Sequence, residues 1–214
     1  MQHKTFFLII LICFLMSTWA FSPGAKAQTS QTPSIKAEEP ESSFQKADEF
    51  FLKKDLKAAA SEIRKGSGFL KMKVKEASKG GKEGLKASVQ ELDQLAKDVE
   101  QGTVTSGKKL KDAFARSYEA LAHHHYLKAS ESWTKKKTKE TGQALTAAAE
   151  YLEQAARWSG RQLETGTAEV VNYARTVGGK LIKGAGYGVE EVGKGIKEIG
   201  NELSKLVKKT EPQK

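Results

Sequence analysis

The chain has 214 residues, with 36 Lys and Arg against 26 Asp and Glu, a formal net charge of +10. Its one cysteine, Cys13, excludes a disulfide framework, so the fold must rest on apolar packing. All four prolines (Pro23, Pro33, Pro40, Pro212) lie near the ends, and no stretch alternates apolar and polar with β-branched enrichment. The class expected is all-α, an up-and-down antiparallel bundle of four or five helices with a C-terminal amphipathic, glycine-rich heptad helix.

The N-terminus reads as an export signal. Lys4 supplies a positive start, residues 6–16 are an uninterrupted apolar run, and Ala25-Lys26-Ala27 is an A-x-A cleavage site. The run is too short for a membrane span, and the mature chain expected from Gln28 has none. The expected location is periplasmic or secreted, with an uncleaved anchor as the alternative. Cys13 follows Ile12 rather than a small residue, which argues against a lipid anchor. Removing 1–27 takes away the only cysteine, and losing Lys4 and Lys26 with no acid lowers +10 to +8. That surface suits anionic lipid, polysaccharide or acidic protein; nucleic acid fits the charge but not the compartment.

Residues 28–43 have the composition of a disordered lead-in, with Ser42 or Ser43 placed to cap the next helix. A bundle is expected over 44–165. Its first helix shows Phe44, Ala47, Phe51, Leu56, Ala59 and Ile63 at helical spacing. Gly66-Ser67-Gly68 either kinks it or splits it, while Leu70, Val74 and Ala77 keep the phase. The run Lys79-Gly80-Gly81-Lys82-Glu83-Gly84 predicts a clear break. A second helix carries Leu85, Val89, Leu92, Ala96 and Val99 on one face, pairs Asp93 with Lys97 outside, and ends at Gly102. Ser106 caps a third, aromatic helix with the stripe Leu110, Phe114, Leu121, His125 and Ala129, flanked by Tyr118 and Trp133. Lys135-Lys136-Lys137 forms a solvated turn. Thr141 is expected to cap a fourth helix with Leu145, Ala148, Tyr151, Leu152, Ala155 and Trp158 facing inward. Residues 168–177 bridge to a hinge at Gly178-Gly179.

Residues 166–209 form this bridge and a final heptad helix, followed by a tail at 210–214. Over 181–208 the a positions are Ile182, Val189, Ile196 and Leu203, and the d positions are Ala185, Val192, Ile199 and Leu206. Six glycines between Gly184 and Gly200 would cost a continuous helix about 5–6 kcal/mol. Three partners could offset this: the protein's own bundle, a second copy, or an anionic envelope surface facing Lys183, Lys194 and Lys197. The interaction residues expected are Ile182, Val189, Val192, Ile196, Ile199, Leu203 and Leu206 with those three lysines. Val189-Glu190-Glu191-Val192-Gly193-Lys194 and its neighbours resemble the amphipathic repeats of apolipoprotein-type and desiccation-protective proteins. The likeness covers about the last fifth of the chain and transfers no function or residue.

No motif points to catalysis. No serine elbow, Walker loop or recognisable carboxylate pair occurs, and no cofactor is implied. His123-His124-His125 invites a metal reading, but neighbours on a helix point about 100° apart. Glu119 and His123 have the workable spacing, with His125 on the apolar stripe, and further ligands would have to come from elsewhere. The expected function is therefore an exported, non-enzymatic interaction or envelope-stress protein acting through its C-terminal helix. The alternative is a periplasmic metal or small-ligand binder using the cluster His123, His124 and His125 with Glu119. Deleting 178–214 is expected to remove the contact and leave the bundle folded.

Overall fold

A computed structural model describes residues 40–160 and 165–210, and all structural statements concern these. The export signal, the lead-in up to residue 39 and the end of the tail lie outside the described residues. Seven helices and no strand are present among them: α1 Glu41–Leu52, α2 Leu56–Glu76, α3 Lys79–Glu100, α4 Gly107–Thr134, α5 Thr138–Trp158, α6 Thr165–Lys183 and α7 Val189–Thr210. The class is all-α.

The expected helix breaks mostly fall elsewhere. α1 begins at Glu41 behind Pro40, so Ser42 and Ser43 are inside the helix rather than capping it. It stops at Lys53, where Lys54 takes a left-handed φ of 62°. The Lys54 and Asp55 N–H groups turn back onto Phe51 and Phe50 carbonyls at 3.0 and 2.9 Å, satisfying the orphaned helix end. The Asp55 carboxylate then caps α2 by accepting from Ala58 N–H at 3.1 Å. α2 runs unbroken through Gly66-Ser67-Gly68. Gly66 is there for room: a Cβ would enter the ring of buried Phe44.

Gly80, Gly81 and Gly84 belong to α3, and the break precedes them at Ala77-Ser78. The α3 end is as expected. Gly102, at φ 72°, and Thr103 donate back to the Val99 and Asp98 carbonyls at 2.9 and 3.0 Å. Ser106 caps α4 by accepting from Lys108 N–H at 3.2 Å. Thr141 is a buried interior residue of α5, which starts at Thr138 directly after the lysine turn. Asp93 reaches not Lys97 but α2, accepting from Ser67 Oγ at 2.6 Å and Lys71 Nζ at 3.1 Å.

Gly178-Gly179 is helical, and the hinge expected there lies instead at residues 184–188. α6 and α5 need the glycine: a Cβ on Gly142 would lie 2.6 Å from the Gly178 carbonyl oxygen and 2.8 Å from Leu181 Cβ. The two backbones thus touch.

Contacts between successive helices run in opposite directions. Arg64 near the start of α2 bonds Glu100 at the end of α3. Phe114 early in α4 meets Trp158 late in α5 at 5.1 Å, while His125 late in α4 meets Tyr151 at 5.3 Å. Thr167 and Tyr173 of α6 reach Glu202 and Glu191 of α7 at 2.7 and 3.2 Å. α4 is the central helix, packed against α1, α3, α5 and α7. At one end Phe44 and Phe114 stack at 4.2 Å, with Tyr118 and Trp158 edge-on to Phe44. Both polar tips bond the Glu41 carboxylate, Tyr118 Oη at 2.6 Å and Trp158 Nε1 at 3.1 Å. Tyr118 therefore builds core, with Trp158 packed against it.

α6 packs along α5, and α7 packs on α4, α5 and α6.

Candidate functional site

Two regions hold the residues singled out in the sequence, and the glycines organise the first. An unbroken helix over 181–208 would carry all six of them. The chain instead leaves the helix at Gly184, whose φ of 65° no β-branched side chain tolerates, and re-enters at Val189. Three glycines, Gly184, Gly186 and Gly188, thus lie in an exposed connector. Only Gly193, Gly195 and Gly200 remain in α7.

The heptad seam is correspondingly split. Ile182 and Lys183 close α6, with Ile182 half-buried, and Ala185 lies in the connector. Of the α7 positions, Val192, Ile196, Ile199 and Leu203 are buried and Leu206 is half-buried. Their cover is this chain itself: Gly195 seats on Leu145 and Tyr173, and Gly200 lets the Tyr126 ring approach to 2.9 Å of where a Cβ would be. Glu202, also on this buried side, accepts from Thr167 Oγ1 at 2.7 Å. Lys194 and Lys197 point to solvent, Lys194 near Glu198 at 3.7 Å. Val189 is 70% exposed.

Val189 and the connector before it stay exposed at the end of the molecule where α4 and α5 join. Tyr187 of the connector lies edge-on to Trp133 at 6.3 Å, and its hydroxyl sits 3.3 Å from Thr138 Oγ1. That contact places the connector against the lysine turn between α4 and α5. Lys135 and Lys137 are held by Glu131 and Glu140 at 2.6 and 3.1 Å. Lys136, Lys139 and Lys183 are exposed and carry no ion pair among the described residues.

The histidines form the second region. His123, Glu119 and His125 do not converge: among the described residues no group of three or more His, Cys, Asp or Glu could hold one metal ion. His123 is exposed beside Tyr126, and Glu119 is buried. The central residue is His124, only 2% exposed, wedged against Gly81 at the start of α3, where a Cβ would lie 3.2 Å from its Nδ1. Its ring meets that of His125 edge-on at 4.8 Å, and His125 in turn meets Tyr151. None of the four imidazole nitrogens has a hydrogen-bond partner among the described residues. Burial pushes His124 down to about 4, with Lys128 and Lys73 adding to it, and pushes His125 down to about 3, with His124 and Lys128 adding. Both rings are neutral at neutral pH.

Each ring lines a cleft. His124 faces one of about 170 Å³ bounded by Glu76, Ser78, Lys128, Ser132 and residues of the lysine turn. His125 faces one of about 340 Å³ floored by Ala144 and Ala147, with Gln143 at its side. Lys128 and Glu140 border both. His124 escapes a single-stripe reading because α4 buries two faces. The signal for it is the scatter of alanines around α4, which marks a helix covered on several sides. Comparison with known protein families, curated proteins and solved structures returns no match, so function is argued from these side chains alone.

Proposed function

We propose that the chain is an exported, non-enzymatic interaction protein, an up-and-down helical bundle closed by its glycine-rich amphipathic helix, that meets an anionic envelope surface. The contact is the end formed by the 184–188 connector and the lysine turn, not the heptad seam. One observation carries this reading: exposed Tyr187, with exposed Val189 two residues on and Lys183 four before it, lies against Trp133 and Thr138 in the turn that bears Lys136 and Lys139, and these three lysines carry no ion pair among the described residues. Exposed apolar side chains on segments that also carry exposed lysines match the chemistry of an anionic bilayer interface, where aromatic rings and lysines anchor peripheral proteins. Export rests on the leader at 1–27.

The strength follows from the parts. Three lysines near an anionic leaflet contribute about 1 kcal/mol each, and burying Val189 adds about 1.5 kcal/mol. A total of about 4–5 kcal/mol corresponds to weak, reversible, salt-sensitive binding.

The test is co-sedimentation of residues 28–214 with phosphatidylglycerol–phosphatidylcholine vesicles against pure phosphatidylcholine. Binding is expected only with the anionic lipid, to fall with salt, and to vanish in Val189→Asp/Lys183→Glu with its helical circular dichroism intact. Equal binding by that variant, or none by the native chain, refutes the reading.

A further inference from the structure

We propose that the chain bridges two anionic bilayers, with the turn between α1 and α2 as a second lipid contact at the end of the bundle opposite the connector. The proposal rests on the connector reading above and assigns a different surface to the second bilayer.

The first ground is an exposed apolar side chain on a fixed turn. Leu52, the last residue of α1, is 70% exposed, as much as Val189. Phe50 and Phe51 before it are half-buried against the core. The Lys54 and Asp55 N–H groups bond back to the Phe51 and Phe50 carbonyls, and the Asp55 carboxylate caps α2. The turn is thus held while Leu52 takes no part in packing. Such a side chain lowers its free energy by entering the interfacial layer of a bilayer.

Charge selects the kind of bilayer. Lys53, Lys54 and Lys57 are exposed and carry no ion pair among the described residues. Two acids share the turn, Glu49 and Asp55, and Asp55 is engaged by the Ala58 N–H. At the adjoining ends of α3 and α4 the acids are already taken. Asp98 holds Lys109 at 3.0 Å, Asp112 holds Lys108 at 2.6 Å, and Glu100 holds Arg64. The surplus is small and positive, which suits anionic headgroups.

Geometry then calls for two bilayers rather than one. A Cβ on Gly107, the first residue of α4, would lie 3.9 Å from the Phe51 ring, so the α1–α2 turn sits where α4 begins. Tyr187 lies against Trp133, where α4 ends. The 28 residues of α4 span about 40 Å at 1.5 Å per residue. A bilayer that takes the connector end-on leaves Leu52 about that far away, facing a second surface.

The two contacts are unequal. The Leu52 end offers one exposed leucine and a smaller positive surplus, so the connector anchors the chain first. Leu52 ends displayed side by side on one vesicle then hold another by multivalency. Loss of the connector contact, as in Val189→Asp/Lys183→Glu, therefore abolishes both.

The experiment mixes residues 28–214 with phosphatidylglycerol–phosphatidylcholine vesicles and follows clustering by dynamic light scattering beside co-sedimentation. The expected result is clustering at sparse coverage, reversed by excess protein that fills both surfaces. Electron cryo-microscopy should show a gap of about 40–50 Å between bridged bilayers. Leu52 is exposed and Lys57 lies in the first turn of α2, where an acid is favourable, so Leu52→Asp/Lys57→Glu should fold normally. That variant should still sediment with vesicles but need at least about ten times more protein to cluster them. Sedimentation without clustering, or equal clustering by the variant, overturns the bridge and leaves the connector contact standing. A gap of about twice the length of α4 assigns Leu52 to a second copy of the chain and also overturns it. Failure of the native chain to sediment refutes the connector contact and the bridge together.

Discussion

Mild acid should loosen this protein before its carboxylates begin to protonate, and His124 and His125 set the effect. Unfolded, each imidazole titrates near 6.5; folded, burial holds His124 at about 4 and His125 at about 3. The folded state therefore binds fewer protons than the unfolded one between these limits. The contribution to stability is complete above pH 6.5 and is lost as pH falls toward the folded values. For one such imidazole the loss reaches about 2 kcal/mol by pH 5. Two together lose about twice that, since neither folded ring binds much proton at pH 5. Against a typical domain stability of about 5–15 kcal/mol, this is a large fraction. The paired carboxylates Asp93, Asp98 and Glu191 are held below their ordinary range, so their contribution is lost only at lower pH. Urea unfolding from pH 7.5 down to about 5 follows the histidine term, to which His123, also held low by burial, adds and which Glu150, held above its ordinary range by burial, opposes. The midpoint should fall steadily in the native chain and about half as steeply in His124→Gln. A flat profile, or an unchanged slope in the variant, refutes the burial argument.

Two further perturbations test the packing. Gly68 has open space around a would-be Cβ, so Gly68→Ala should stabilise α2 by about 0.5–1 kcal/mol. Gly66→Ala, two residues away, drives a methyl into Phe44, itself stacked on Phe114, and should lose about 1–3 kcal/mol in urea titrations. Deleting residues 189–214 uncovers Leu145, Tyr126 and Tyr173. Contrary to the expectation from sequence of an intact remainder, the truncated chain should bind a hydrophobic dye and unfold less cooperatively.

Apolar spacing made the helical class and most inward faces legible: Leu85, Leu92, Ala96 and Val99 on α3 and Leu145, Ala148, Leu152 and Ala155 on α5 are all buried. Breaks were harder to read. At Lys53-Lys54 the chain turns with no glycine or proline to mark it, and the visible signal was Asp55 three residues ahead of the N–H it caps. Gly66, Gly80, Gly81 and Gly178 mislead in the other direction. They sit in helices because a neighbour, Phe44, Leu127, His124 or Thr146, occupies the space of a Cβ. A single sequence records a glycine without recording whether it bends the backbone or admits a partner. The site suffered similarly: His125 stood out on the stripe, whereas His124 faces α3, a direction visible only once α3 is placed against α4.

The heptads themselves explain why the exposed end, rather than the seam, is the surface to test. Three helical glycines cost α7 about 3 kcal/mol, while burial of Val192, Ile196, Ile199 and Leu203 contributes roughly 1.5–3 kcal/mol for each side chain. The docked helix thus wins by several kcal/mol, and a bilayer that drew it out would have to replace contacts to α4, α5 and α6 before gaining anything. It would also break the Thr167 Oγ1–Glu202 hydrogen bond, which is made only when α7 is seated. Val189 and Tyr187 carry no such cost, being exposed already. Contact through the connector leaves every packed helix in place, and the weak, lysine-dependent affinity it implies separates it from release of α7. Release would raise helix exposure to proteolysis on vesicles; docking through the end would not.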